Sequence, residues 1–289
     1  MIKIALWYAD FSSGGFFMTG TPTSLNSKDQ KRLSKLGKGT GLDYEPYVDV
    51  RSFSSQGTSV RLKSATVGRI HHLVSGLEAF GFILFDRFEN SIDLREQYPL
   101  PIEESLEVSR QLGIRHPNNR GYLTVVSTDL LVALKDGKQL AISFKYAEEL
   151  HKARNLEKLQ IEKAYWEARG VEWKIFTELE LTGGLKENLE WIQPYLLAEA
   201  SEAQQLSELD VSSVLGRIDL SQRTKLARQC SKLDDKYDVE PGYHISVVRY
   251  GVAHHLVSAP LDRAFHEWHC CDVVPLRGSS FKKEAGLAS

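Results

Sequence analysis

The sequence predicts a mixed α/β core followed by a smaller, helix-rich C-terminal domain. Three observations lead there. Residues 123–146 (LTVVSTDLLVALKDGKQLAISFKY) read as two apolar strands around an Asp136-Gly137 turn. Helical and strand-like stretches alternate on both sides of this hairpin, which places helices on a central sheet. Beyond Leu181-Thr-Gly-Gly the pattern changes to consecutive helices and then a second hairpin pattern, the order of a winged helix.

The central hairpin carries charge where a strand pair is otherwise apolar. Asp129 interrupts its first strand and Lys145 ends its second. Buried charges are costly unless they are paired or hold a metal. Taken alone, the two read as an ordinary salt bridge on a solvated sheet face. The surrounding sequence supplies the alternative.

Composition is that of a water-soluble globular chain: 289 residues, 42% hydrophobic and 26% charged. The formal net charge is −2. There is no global basic signature, so contact with a polyanion rests on local patches or on partner proteins. No apolar run is long enough to span a bilayer, and the start lacks the pattern of a secretory signal. Three cysteines, two of them adjacent, do not form a disulfide framework. A reducing compartment, the cytosol, is the expectation.

Taken in order, residues 1–66 are Gly/Ser/Thr/Lys-rich after the first few positions, 1–50 read as an N-terminal arm, and 24–38 reads as a polar, basic helix or a solvated arm. The core is expected to begin near Arg51. Residues 66–81 predict a helix with Thr66 as N-cap and Gly81 as stop, because Ile70, Leu73, Val74, Leu77 and Phe80 recur at helical spacing. Residues 82–88 predict a strand, 91–100 a second strand, and 105–112 a short helix. After the hairpin, 148–169 predicts a long helix stopped by Gly170, and 171–177 a last strand. The core domain thus spans 51–180.

The C-terminal domain, 181–276, is expected to hold helices over 185–200, 203–209 and 219–233. Strands at 244–250 and 254–258 around Gly251 would form its wing. Residues 277–289 read as a tail. Arg223, Lys225, Arg228 and Lys232 give the third helix a basic face suited to DNA. His254, His255, His266, His269, Cys270 and Cys271 meet no standard zinc-finger spacing and read as packed and surface residues.

Several segments taken together resemble the TnsA family, endonuclease subunits of heteromeric transposases of the transposon seven group. They are RSFSSQG (51–57), R-x-x-H-L-x-S-x-L-E ending at Glu78, and IDLREQYPL (92–100). LGIRHP (112–117), STDLL (127–131), ISFK (142–145) and LEKLQIEKAYWEARGVEWKIFTE (156–178) follow in the same order, and GLKENLEWI (184–192) extends the likeness. The resemblance implies a restriction-endonuclease-like core of the P-D-x-n-[DE]-x-K type. It implies cleavage of the 5′ strand at transposon ends, beside a TnsB-type DDE transposase acting on the 3′ ends and a TnsC-type AAA+ ATPase. The expected site of action is the bacterial cytoplasm, on the nucleoid during transposition.

In that pattern Glu78 is the helix carboxylate, Asp129 the strand carboxylate and Lys145 the motif lysine. Glu162 is a further acid on the following helix. The implied cofactor is Mg²⁺, with Mn²⁺ as substitute, on Glu78, Asp129, Ser143 and the Phe144 carbonyl. Such an ion keeps several waters, so two carboxylates suffice. It would neutralise the phosphate and acidify a water. Lys145 would orient that water or stabilise the phosphorane. Gln97, or its neighbour Glu96, and His71 are candidates to support the site. Ser143 departs from the pattern, which places an acid or amide two residues before the lysine. Two other functions fit the same residues: a weakened, bridging subunit of the transposition complex, or a free-standing restriction-type nuclease.

Overall fold

The fold was taken from a computed structural model, which describes residues 24–48, 59–199 and 206–276. The chain divides into two compact units, Met1–Glu180 and Leu181–Ser289. Among the described residues no helix is long and apolar enough to cross a membrane.

In the first unit, the helix alternative for 24–38 holds, the solvated arm does not, and the fold begins before Arg51. A short helix α1 (Ser27–Leu33) is capped by Asn26, whose side chain accepts from the Asp29 N–H. Leu25 and Tyr47 are buried with Leu123 and Val125. Apolar anchors, rather than the basic character of the segment, decide its place. The 51–58 stretch lies outside the described residues.

Strands β1 (Val60–Lys63) and β2 (Ile70–Leu73) form an antiparallel hairpin. Helix α2 (Gly76–Asp86) follows. The expected helix over 66–81 therefore begins a full segment later, and the expected strand over 82–88 is largely its continuation. The apolar residues 70–77 satisfy a helical period by coincidence. The true start is Ser75, whose hydroxyl accepts from the Glu78 N–H in an S-x-x-E signature. Phe82, Ile83 and Phe85 are all buried, and a short, uniformly apolar run carries no period to separate helix from strand. Gly81 is not a stop. The Phe144 ring lies against it, where a Cβ would collide with the ring.

The central sheet comprises β3 (Ser91–Pro99), β6 (Ser127–Leu134), β7 (Gln139–Phe144) and β8 (Glu172–Phe176), in the order β3-β6-β7-β8. The first two pairings are antiparallel and β7–β8 is parallel. A parallel step needs a crossover, supplied by α4 (Ala153–Glu167). The expected long helix over 148–169 is split, with a 3₁₀ turn at Ala147–His151 before α4. Helix α3 (Ile102–Gln111) and a small hairpin of β4 (Asn118–Asn119) and β5 (Tyr122–Leu123) complete the unit. Leu100, Leu131, Ala141, Ile161, Tyr165 and Trp166 form a core cluster. Each large apolar side chain buried there contributes about 2 kcal/mol. This mixed sheet with flanking helices fits a restriction-endonuclease-like core.

The second unit holds α5 (Gly183–Ile192), α6 (Glu208–Arg217), α7 (Leu226–Tyr237) and α8 (Tyr243–Ala253). Residues 203–205 of an expected helix lie outside the described residues. The predicted wing is corrected: 244–250 lies in α8. Its β-branched residues suggest a strand, but Val247, Val248, Gly251 and Val252 are buried along the helix. The helix start is fixed from a distance. Asp234 on α7 accepts from the Gly242 and His244 N–H groups at 2.7 and 3.0 Å. Of the expected second strand, only β9 (Val257–Ser258) forms, paired with β10 (Val274–Pro275).

Candidate active site

Asp129 and Lys145 meet because β6 and β7 are neighbours, with the Leu130–Ile142 pair just before the site. The Lys145 ammonium lies 2.8 Å from Asp129 Oδ2 and 2.8 Å from the Phe144 carbonyl oxygen. The Phe144 N–H donates to the same Asp129 oxygen at 2.8 Å. The salt bridge that the hairpin suggested is present.

Glu78 joins them from the first turn of α2. Its Oε2 accepts from the Val74 N–H at 3.1 Å, and the Ser75 hydroxyl donates to Oε1 at 3.1 Å. The side-chain amide of Gln97, on β3, donates to Glu78 Oε2 at 3.3 Å and reaches Asp129 Oδ1 at 3.5 Å. Gln97 has φ = 49°. This left-handed conformation costs a non-glycine residue about 1–2 kcal/mol.

Two expected participants stand elsewhere. Ser143 does not offer its hydroxyl to Glu78 and Asp129. It donates to Glu162, with both carboxylate oxygens at 2.7 Å. His71 lies on β2 rather than on the helix of Glu78, and its Nδ1 is 2.8 Å from Glu96 Oε2. Glu96 also accepts from both terminal nitrogens of Arg69, at 2.8 and 2.5 Å. Glu96 and His71 thus form a buried tie between β2 and β3, apart from the Glu78–Asp129 pair.

The electrostatics are those of acids crowded out of water. Burial first, and the Asp129 carboxylate second, push Glu78 up to about 7 against the Val74 and Ser75 hydrogen bonds. The same two causes push Glu162 up to about 7. Burial opposes the charge of Lys145, but attraction to Asp129 outweighs it and raises Lys145 above its ordinary value. Lys145 is therefore a held cation at neutral pH, not a free base.

A cleft of about 300 Å³ opens on this group. Asp129, Lys145 and Glu162 line it, and so do Glu149, Asn155 and Lys158. Lys158 and Asn155 were not singled out from the sequence. The signal for Lys158 is its place one helical turn before Glu162, which puts both on one face of α4.

Among the described residues no three His, Cys, Asp or Glu side chains converge as a metal cluster, and this includes the His/Cys group near the C-terminus. The donors present still suit a hard divalent cation. Glu78 and Asp129 offer carboxylate oxygens from different elements, burial and then their mutual repulsion raise Glu78, and Mg²⁺ or Mn²⁺ would ask for little more than such donors and water.

In the second unit, Arg223 and Lys225 precede α7, and the Lys225 ammonium donates to the Glu267 carbonyl at 2.9 Å. Arg228 and Lys232 lie on the exposed face of α7, one turn apart, while Leu226, Cys230 and Leu233 are buried.

A mixed sheet of this topology with flanking helices, bearing an acid pair and a lysine on adjoining strands and a helix, fits the restriction-endonuclease-like class of fold. Comparison with known families gives the particular group. The model of TnsA-like endonuclease N terminal matches residues 89–178, and that of TnsA endonuclease C terminal matches 184–261. The chain is 36% identical over 241 residues to the Transposon Tn7 transposition protein TnsA of Escherichia coli, which covers 82% of this chain and 86% of that protein. The chain belongs to the TnsA family of transposition endonucleases.

Proposed function

We propose that this chain cleaves the 5′ strand at transposon ends by metal-dependent phosphodiester hydrolysis, at the site formed by Glu78, Asp129 and Lys145. The observation that carries the reading is the convergence of all three, from α2, β6 and the end of β7: Gln97 bridges Glu78 and Asp129, Lys145 pairs with Asp129, and Asp129 and Lys145 line one cleft. A bound Mg²⁺ or Mn²⁺ supplies charge neutralisation at the phosphate and a more acidic water. Glu78 and Asp129 would hold that ion. Lys145, kept protonated by Asp129, stabilises the charge that grows on the phosphate oxygens. Glu162, with its carboxyl near neutrality and bonded to Ser143, is suited to take and return a proton within the cleft. Ser143 then serves by holding Glu162 rather than by binding metal. Arg228 and Lys232 contact the DNA backbone. A TnsB-type DDE transposase handles the 3′ ends, and a TnsC-type AAA+ ATPase regulates the assembly.

The test is transposon excision reconstituted with those partners. Asp129→Ala and Lys145→Ala are each expected to lower 5′-strand cleavage at least 100-fold, roughly the loss of one strong electrostatic contribution, while 3′-strand cleavage continues. Chelation of divalent ions should stop both. Clean double-strand excision by Asp129→Ala would leave the bridging, non-cutting role as the better account.

A further inference from the structure

We propose that Gln97 is a positioning residue, which holds Glu78 and Asp129 as a matched pair for a divalent cation and is aimed there by its left-handed backbone. The inference rests on the metal site proposed above and adds a residue that touches neither metal nor phosphate.

The ladder carries the argument. Glu96 pairs with Leu130 and Tyr98 with Thr128, so the register is the same on both sides of Gln97. Gln97 therefore stands across from Asp129, yet this pair is missing from the ladder, and here φ is 49°. No residue is inserted; the backbone turns in place. The chain on either side is pinned. Glu96 is held by Arg69 and His71, and its carbonyl accepts from the Tyr44 hydroxyl at 3.0 Å. Tyr98 stacks on Tyr44 with ring planes 11° apart. A strained residue persists when its surroundings over-determine it, and such residues gather at functional sites.

The chemistry of the side chain fits the task. An amide nitrogen carries two hydrogens, one for each carboxylate. The buried Gln97 amide lies 3.3 Å from Glu78 and 3.5 Å from Asp129, and these belong to different elements. Bonds of this length are individually weak. Their value lies in fixing the separation of two acids that otherwise repel. A carboxylate in place of Gln97 would add a third negative charge, and an alanine would remove the side-chain contact that bridges the two.

Calorimetric titration of the full chain with Mn²⁺ alone, together with thermal melting, tests both parts. Gln97→Ala and Gln97→Gly are each expected to weaken Mn²⁺ binding about 10–100-fold, the usual loss for a residue that orients a ligand. The glycine variant should melt about 2–4 °C above the alanine variant, because only alanine meets the left-handed penalty. In an ordinary strand the order is reversed. Mn²⁺ isotherms equal to that of the unaltered chain would overturn the positioning role. An alanine variant melting at or above the glycine variant would overturn the backbone argument. Asp129→Ala separates this from the site itself. If it binds Mn²⁺ like the unaltered chain, or if the unaltered chain binds none, the metal site is wrong and Gln97 falls with it. If Asp129→Ala loses Mn²⁺ while both Gln97 variants keep it, only the present inference fails.

Discussion

Glu162 holds its proton up to about 7 because burial, and then the Asp129 carboxylate, work against its charge. The consequence for stability has a definite sign. Below its ordinary value of 4.5 the group is protonated both folded and unfolded, and it contributes nothing. As pH rises from there the unfolded chain ionises first, so stability falls until about pH 7 and the penalty is then constant, on the order of 3 kcal/mol at most. Glu162→Gln should therefore stabilise the metal-free protein by about 1–3 kcal/mol at pH 8 and not at all near pH 4.5, as read by urea unfolding at the two pH values. Single residues differed in how well the sequence revealed them. Asp129 and Lys145 were legible because one hairpin holds both in an apolar setting. The Ser143–Glu162 bond was not, because it joins a strand to a helix, and no local pattern reports which face of α4 lies over β7.

At the scale of elements, the β1–β2 hairpin is fastened to the sheet by one buried carboxylate. Burial pushes the Glu96 carboxyl up, but His71 and Arg69 outweigh it and hold the group far below the usual carboxylate range. A depressed carboxyl contributes stability above its ordinary value near 4.5, and the contribution is lost as pH falls below that. Arg69→Met leaves a charge buried without its bidentate partner and should cost about 3–5 kcal/mol at pH 7. The loss should shrink at pH 3, measured by the same denaturation. The sequence suggested a helix for this stretch because Ile70, Leu73 and Leu77 keep a helical period by chance. The S-x-x-E signature at Ser75–Glu78 is the better guide: a cap is a specific hydrogen bond, whereas three apolar residues fit several periods. The four sheet strands were read correctly because each is bounded by turn residues or proline. The wing was not, since α8 starts on a cap from Asp234, ten residues before His244 in the chain and on another helix.

For the whole molecule, the net charge of −2 sets a problem, because the substrate is a polyanion. The cleft has more acids than bases: Asp129, Glu149 and Glu162 against Lys145 and Lys158. Attraction to DNA must come from outside it. If Arg228 and Lys232 supply part of it, the double change Arg228→Ala with Lys232→Ala should lower the slope of log K against log salt by about 2, one for each lost phosphate contact. DNA-binding isotherms over a range of salt would show this. An unchanged slope would assign the face of α7 to protein partners. The division of the chain after Glu180 was legible in the Leu181-Thr-Gly-Gly break, since composition changes there. The packed role of residues 24–48 was not, because their polar majority conceals the few anchors, Leu25, Tyr44 and Tyr47, that fix them.

The parallel pairing of β7 with β8 has a consequence in time. Those strands join only after the α4 crossover has been synthesised, and β3 must wait for β6 across the intervening α3. Such distant pairings form late. A chain emerging from the ribosome gathers Glu78 first, then Asp129, then Lys145, and only afterwards Glu162. The cluster of Glu78, Asp129, Lys145 and Glu162 is thus among the last parts of the first unit to be finished, and an unfinished polypeptide carries these groups scattered along the chain.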